Sequence, residues 1–281
     1  MKKILTFQIA ELVPYINWLY FYHAWGLSGK PEAEKLRMRQ EAMEMLEAWD
    51  GIYHTHAIFA LYEAYSDGDD LLLGTVRMPM LRQQHPASNG QPNLCLADFV
   101  CPLSKKDGLS AADCGIANRV GVFCATVDDG MFASCKQDDY KTMLAQTLSD
   151  RLAEATAERL HEQVRKQLWG YAPQEHLSPR QLLREEYQGI RPAIGYPSLP
   201  DTSANFIIDQ LLDMKQVGIR LTPTGMMVPH ASVSGLMFAH PGARYFELGK
   251  IDEAQLRSYA HRRGIPVELM RKFLQSSLMR K

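Results

Sequence analysis

Several features that would each define a protein class are missing from this sequence. No stretch approaches the roughly 20 consecutive apolar residues of a membrane-spanning helix, and no unit recurs at a period of about 20 to 50 residues, as in repeat proteins. Neither charge sign predominates, because 31 Lys and Arg stand against 32 Asp and Glu, for a net charge of −1 and a pI of about 6.8. Nucleic-acid binding normally requires a basic excess, so we expect no nucleic-acid partner, and we expect no membrane partner.

Cysteine is scarce, and its spacing suggests no pairing. No C-x-x-C motif occurs among the five cysteines, which are Cys95, Cys101, Cys114, Cys124 and Cys135. The sequence therefore predicts neither a disulfide framework nor a zinc knuckle, and we expect buried free thiols. The first residues resemble a signal peptide, but Gln8 and Glu11 interrupt the apolar run and no small-residue cleavage site follows. We therefore expect a cytoplasmic protein.

The apolar pattern indicates an α+β fold. Apolar residues make up 46% of the 281 residues, and no composition shift marks a domain boundary, so we predict a single domain over residues 1–281. Alternating segments between Tyr53 and Val127 predict short antiparallel strands, among them 54–65, 94–102 and 119–127. Further short strands are predicted between 219 and 251. A four-residue apolar repeat predicts one long helix at about 138–169, carried by Leu144, Leu148, Leu152, Leu160, Val164 and Leu168.

Three arrangements of polar residues are compatible with catalysis or metal binding, but none is complete. Glu158-x-x-His161 has the spacing of di-iron helix bundles, but no second such pair occurs, so we predict a solvated helix face. His54 and His56 fall on one side of a strand without a third ligand, so we predict no metal site. The segment 231–235 lacks the first glycine of a nucleophile elbow. We also find no glycine-rich phosphate-binding loop and assign no catalytic residue.

The loop from Arg191 to Pro197 is a better candidate for binding. Two prolines restrict its backbone and Gly195 permits a close backbone approach, so Arg191 and Tyr196 are held on a stiff turn. An arginine so placed suits bidentate capture of a carboxylate or phosphate, and a tyrosine suits stacking or a hydroxyl contact. The same residues also occur in turns with only a structural role, and from the residues alone both interpretations stay open.

Several segments together resemble the activation domain of cobalamin-dependent methionine synthase. The segments that carry the resemblance are VPYINW (13–18), ADFV (97–100), SDRLAEATAERLHEQVRKQLWGYAP (149–173), REEYQGIRPAIGYPSLPD (184–201), HASVSG (230–235) and FAHPGARYFELGKI (238–251). They cover the chain from about Leu12 onward. The resemblance implies a single C-shaped α+β domain, with a bent antiparallel β-sheet flanked by helices, that binds S-adenosylmethionine in a groove.

The resemblance also implies which residues contact S-adenosylmethionine. In the family the contacts come from an aspartate in P-Y-I-D-W, from R-x-x-x-G-Y, from an aromatic pair after H-P, and from acidic helix residues. These positions are Asn17, Glu154, Glu185, Arg191, Gly195, Tyr196, Ser198, Tyr245 and Phe246 here. Acidic groups, an anion-binding donor and aromatic rings suit a sulfonium that carries an ammonium, a carboxylate and an adenine. For Glu154 and Glu185, surface charge is the alternative interpretation.

Two departures from the family shape the expected function. Asn17 replaces the aspartate and loses its charge, and no D-x-H-x-x-G cobalamin motif occurs in this chain, which begins at the activation-type domain. We therefore expect a free-standing module that supports reductive remethylation of cob(II)alamin in trans. Its cobalamin would be carried by a methionine synthase partner chain, with flavodoxin or another reductant as electron donor. It would be a component of a methyltransferase, not a complete methionine synthase.

Two other functions remain open at this stage. The first is a non-catalytic docking module that gathers a corrinoid protein and flavodoxin without using S-adenosylmethionine, and the loss of charge at Asn17 is the reason to consider it. The second is a reactivase of a different corrinoid methyltransferase.

Overall fold

A curled antiparallel sheet of six strands organises the fold. The computed structural model describes residues 1–84, 92–105, 114–133 and 138–279. The sheet contains β1 (Lys2–Gln8), β2 (His54–Asp67), β3 (Asp70–Leu73), β4 (Val76–Pro79), β5 (Arg119–Val127) and β8 (Ser232–Met237), and a separate hairpin contains β6 (Arg220–Leu221) and β7 (Met227–Val228). The helices are α1 (Ile9–Leu12), α2 (Trp18–Ala24), α3 (Glu32–Trp49), α4 (Gly130–Ala133), α5 (Asp139–Gln163), α6 (Pro179–Leu182), α7 (Asn205–Leu212), α8 (Glu253–Arg263) and α9 (Val267–Phe273).

The long strand β2 gives the sheet its bend. Along one edge it pairs first with β1 and then, from Ala64 onward, with β3, while β5 pairs with residues 55–63 on the opposite edge. Apart from β1, the strands lie across the sheet in the order β4-β3-β2-β5-β8. Alternate residues of β2 and β5 enter two different cores, so that Phe59 and Phe123 face α5 and Ile58 and Val122 face α7. The predicted α+β fold with a bent antiparallel sheet is confirmed.

The long helix predicted at 138–169 is present. Asp138 caps α5, because its carboxylate accepts the backbone N–H of Lys141 at 3.1 Å. The helix continues beyond Gln163 as a π-helical turn over Val164–Leu168 and stops at Gly170, whose φ of +76° suits glycine. Except for the half-buried Leu168, the predicted apolar repeat is buried in the core between α5 and the sheet. The helix is therefore fixed along its length and can hold side chains for a site.

Two predicted strand regions are not strands. Within 94–102, residues Leu96–Phe99 form a 3-10 turn, because the carboxylate of Asp98 accepts the N–H of Cys95 and favours a local turn over strand pairing. In 244–251 the described backbone makes one bridge, Ile251 to Leu278, while the N–H of Leu248 donates to the Pro197 carbonyl at 3.0 Å. This segment therefore lies against the 191–201 loop instead of joining the sheet.

The expectation that all cysteines are free thiols is wrong for one pair. Cys101 and Cys114 form a disulfide with a Cα–Cα distance of 5.5 Å. The N–H of Cys101 donates to the Ala117 carbonyl, so the turn that precedes β5 brings the two cysteines together, a proximity that their spacing does not reveal. Cys95 and Cys124 are buried free thiols as predicted, and burial raises the pKa of each to about 12. Cys135 lies outside the described residues.

Candidate functional site

The predicted solvated face of α5 is instead a buried polar cluster. Glu158 is 8% exposed and His161 is fully buried, because Tyr171, Tyr187 and Arg191 lie against this side of the helix. Glu158 Oε2 accepts Arg191 Nη2 at 2.8 Å, and the Tyr171 hydroxyl lies 3.3 Å from His161 Nε2. Burial and then repulsion from two arginines hold the pKa of His161 well below its ordinary value, so the imidazole is neutral at pH 7.

The loop that carries Arg191 is fastened to strand β8. Ile190 pairs with Phe238, and Ala193 lies opposite Gly235, with backbone hydrogen bonds of 2.9 to 3.0 Å along this edge. A Cβ at Gly235 would lie 2.2 Å from the Pro192 carbonyl oxygen, so only glycine allows this approach. The V-S-G part of the HASVSG motif thus sets the position of the loop.

Gly235→Ala is expected to destabilise the protein and to displace this loop. Overpacking of a closely packed position typically costs about 1–3 kcal/mol, and here the clash is with backbone, which cannot rotate away. We expect a lower thermal midpoint and weaker binding of a ligand at Arg191. Gly242→Ala is the control, because its nearest neighbour is the side chain of His240 at 3.1 Å. Equal effects of the two substitutions would contradict the proposed packing.

Arg191 is a nearly buried cation with hydrogen-bonding capacity to spare. Its side chain is 11% exposed and its Nε is buried with no partner among the described residues. Burial opposes its charge, but Glu158 together with Tyr187, Tyr245 and Glu154 outweighs this and raises the pKa of Arg191 above its ordinary value. Its backbone N–H donates to the Tyr245 hydroxyl at 2.9 Å. Tyr245 therefore fixes the backbone of Arg191, and Glu158 fixes its side chain.

Aromatic rings line the same cluster. Tyr187 and Tyr245 share a hydrogen bond, and burial raises the pKa of both hydroxyls. The guanidinium of Arg165 lies 4.1 Å from the centroid of the Tyr187 ring, and the His161 ring lies 4.9 Å from it, edge to face. Tyr245 remains 36% exposed, so its ring is accessible to a ligand.

A second carboxylate stands at the edge of a groove beside the loop. The Tyr196 hydroxyl donates to Glu154 Oε1 at 2.5 Å, and burial together with Glu154 raises the pKa of that hydroxyl. Glu154, Gly195 and Tyr196 line a cavity of about 390 Å³ between α5, the loop and β8. The size is within the usual range for small-molecule sites. Three of the residues that the sequence analysis assigned to the ligand site thus lie on one cavity.

The other assigned residues occupy different surroundings. Glu185 has a left-handed backbone (φ +57°), and burial raises the pKa of its carboxyl although the charge of Arg191 opposes this. Ser198 is buried in the turn after Tyr196, and Phe246 is half-buried against the second core.

Asn17 acts as the N-cap of α2. Its Oδ1 accepts the N–H of Leu19 at 3.1 Å and that of Tyr20 at 3.4 Å. Within the described residues, no hydrogen bond joins Asn17 to the buried polar cluster around Glu158 and Arg191. The structure therefore shows Asn17 in the capping role.

Sequence reasoning missed several residues of the cluster, namely Glu158, His161, Arg165, Tyr171 and Tyr187. The available signal was the spacing of Glu158, His161 and Arg165, which puts an acid, an imidazole and a base on one side of α5. Among the described residues, no group of three or more His, Cys, Asp or Glu is arranged to hold a metal ion. Nor does any described helix have the length and apolar character needed to cross a bilayer.

Comparison with known proteins shows a match over nearly the whole chain. The family model described as "Vitamin B12 dependent methionine synthase, activation domain" matches residues 8–264. A solved structure, described as the MetH reactivation domain bound to AdoHcy, superposes with a TM-score of 0.89 at 35% sequence identity. The match covers 100% of this chain and 91% of that one.

Proposed function

This chain belongs to the family of vitamin B12-dependent methionine synthase activation domains, and on that premise we propose that it binds S-adenosylmethionine beside Arg191 and supports reductive remethylation of cob(II)alamin. The observation that carries the proposal is Arg191 itself, a nearly buried cation whose Nε has no partner within the described part of the chain and which lies beside the Glu158 carboxylate and the exposed Tyr245 ring. The solved relative binds AdoHcy, which differs from S-adenosylmethionine by the transferred methyl group.

The residues present fit this ligand by their chemistry. Arg191 suits the ligand carboxylate, since a guanidinium can donate to both carboxylate oxygens. Glu154 and Glu185 suit the ammonium and the sulfonium, because a carboxylate stabilises a nearby positive charge more strongly where water is partly excluded. Tyr245 and Phe246 offer ring surface to adenine. We further assign the Gly195 turn and Ser198 to the wall of the same groove.

The role proposed for the chain is binding and orientation. When bound, S-adenosylmethionine supplies the methyl group, and flavodoxin or another reductant supplies one electron, so that cob(II)alamin on a methionine synthase partner becomes methylcobalamin and AdoHcy remains. The chain would hold the sulfonium toward the partner, because correct positioning of two reactants removes much of the entropic barrier. The single domain over 1–281, the cytoplasmic location, the lack of a nucleic-acid partner and action in trans stay predictions.

Ligand binding and reactivation can be tested separately. Isothermal titration should show one site for S-adenosylmethionine, and ligand should raise the unfolding free energy by roughly RT ln(1 + [L]/Kd). The protein is then added to a cob(II)alamin-bearing module with reductant and S-adenosylmethionine, and the cob(II)alamin absorption band should disappear faster than without it. Equal rates would reject the reactivation role.

A docking module without ligand is the second candidate, and the uncharged Asn17 is the observation that favours it. It predicts no heat of binding with S-adenosylmethionine but retention of a corrinoid protein and flavodoxin on the immobilised chain. Recovery of a corrinoid protein other than methionine synthase would instead indicate a reactivase of another methyltransferase.

Asn17→Asp is expected to tighten S-adenosylmethionine binding by about 0.5–2 kcal/mol, the usual gain of a charge-assisted over a neutral hydrogen bond. One carboxylate oxygen can keep the helix cap, while the other takes the place of the amide nitrogen and adds the negative charge that Asn17 lacks. Titrations of both proteins at matched ionic strength measure the effect. A gain in thermal stability with unchanged affinity would show that Asn17 only caps α2, since a negative charge favours a helix N-terminus.

A further inference from the structure

We infer that Glu158 is a positioning residue for the ligand's carboxylate, one that acts by fixing the guanidinium of Arg191 and does not touch the ligand. The inference rests on the proposed function and adds a residue that the sequence analysis placed on a solvated helix face. Glu158 Oε2 and Arg191 Nη2 are 2.8 Å apart, and each side chain is only 11% exposed.

The pair is joined by a single hydrogen bond, not by a two-pronged fork. Glu158 Oε1 and Arg191 Nε are both buried without a partner among the described residues. A purely structural pair would be expected to use these atoms, since unsatisfied buried polar groups are costly. Holding Arg191 by one terminal nitrogen fixes the direction of the guanidinium plane and leaves its other donors for an anion.

The other basic side chains near Glu158 do not compete with Arg191 for its carboxylate. Arg165, one helical turn from His161, already has its own carboxylate, because its Nε and Nη2 donate to the two oxygens of Glu175 at 2.7 Å. His161 is neutral and supplies no positive charge. Among the described residues, Arg191 is therefore the one cation within ion-pair distance of Glu158.

The backbone of Arg191 is fixed independently of Glu158. Its N–H donates to the Tyr245 hydroxyl, and the flanking residues pair with β8. Loss of Glu158 should therefore leave the loop in place and release only the guanidinium. This separation gives the inference a ligand-specific consequence, because only a ligand with a carboxylate depends on where the guanidinium points.

The test compares Glu158→Gln with the parent protein, using S-adenosylmethionine and its decarboxylated form as titrants. Glu158→Gln should weaken S-adenosylmethionine binding by about tenfold or more, because a neutral amide oxygen holds the guanidinium less firmly and its charge-assisted hydrogen bond to the ligand carboxylate is lost. Binding of the decarboxylated form should change by less than about twofold. Glu162→Gln is the matched control. Glu162 lies one turn along α5, is 14% exposed, and pairs with Tyr15, Arg159 and Lys166. The Glu162→Gln variant should bind both titrants with the affinity of the parent protein.

A second comparison tests the inference even if the Glu158→Gln variant folds poorly. Arg191→Gln and Glu158→Gln/Arg191→Gln should bind S-adenosylmethionine equally within about twofold, because Glu158 has no cation left to orient. A further loss in the double variant, or equal weakening of both titrants by Glu158→Gln, would overturn the inference. So would parental affinity in Glu158→Gln. If the parent itself does not bind S-adenosylmethionine, the proposed function fails first and the inference with it.

Discussion

Arg191→Ala is expected to weaken S-adenosylmethionine binding by about tenfold to a hundredfold. A hydrogen bond to a charged partner contributes about 1.5–3 kcal/mol, and each 1.4 kcal/mol is a factor of about ten in affinity. Arg191 is the best-placed anion donor of the cluster, because its side chain is largely buried and its backbone is fixed by Tyr245. Isothermal titration against the parent measures the loss directly.

Two controls make that result interpretable. Arg184→Ala removes an arginine from the same segment, but this side chain is 58% exposed. The Arg184→Ala variant should therefore bind S-adenosylmethionine with the affinity of the parent. Arg191→Lys keeps a charge for Glu158 and loses the planar fork, so it should bind with intermediate affinity. If Arg191→Ala folds normally and binds like the parent, Arg191 is a turn residue, and the assignment of the ligand carboxylate is wrong.

The sequence predicted those elements whose pattern depends on local periodicity. The apolar repeat of α5 and the alternation in 119–127 both have uninterrupted patterns, and both elements appear with nearly the predicted bounds. The strand prediction for 94–102 was wrong because a single side chain, Asp98, closes a local turn that competes with strand pairing. Strand β1 was missed because it resembles the start of a signal peptide.

The candidate site was predicted only in part, because burial is not a property of one segment. Arg191, Tyr196 and Glu154 were predicted from motifs. The structure places Tyr196 and Glu154 on one cavity and Arg191 against Glu158 in the buried polar cluster. Glu158 and His161 have the composition of an exposed helix face, and they are buried because Tyr171, Tyr187 and Arg191, which follow α5 in the chain, fold back over them. The same holds for Cys101 and Cys114, whose proximity depends on the turn before β5.

The buried pair of Arg165 and Glu175 supports the wall of the site. Arg165 is fully buried and Glu175 is 8% exposed, and two hydrogen bonds of 2.7 Å join them. Arg165 also lies over the Tyr187 ring, which in turn meets Tyr245. The pair thus connects the π-helical turn that follows α5 with the aromatic rings of the buried polar cluster.

Glu175→Gln is expected to destabilise the protein by about 3–5 kcal/mol, because removal of one partner leaves a buried charge uncompensated. At about 2 °C per kcal/mol for a chain of this size, the thermal midpoint should fall by roughly 6–10 °C. Glu253→Gln is the control. Glu253 makes the same two-pronged contact with Arg271, at 2.7 and 2.8 Å, but at the surface, where solvent screens the charges. Calorimetry of both variants decides the matter, since equal shifts would mean that burial of Arg165 adds nothing to the strength of its ion pair.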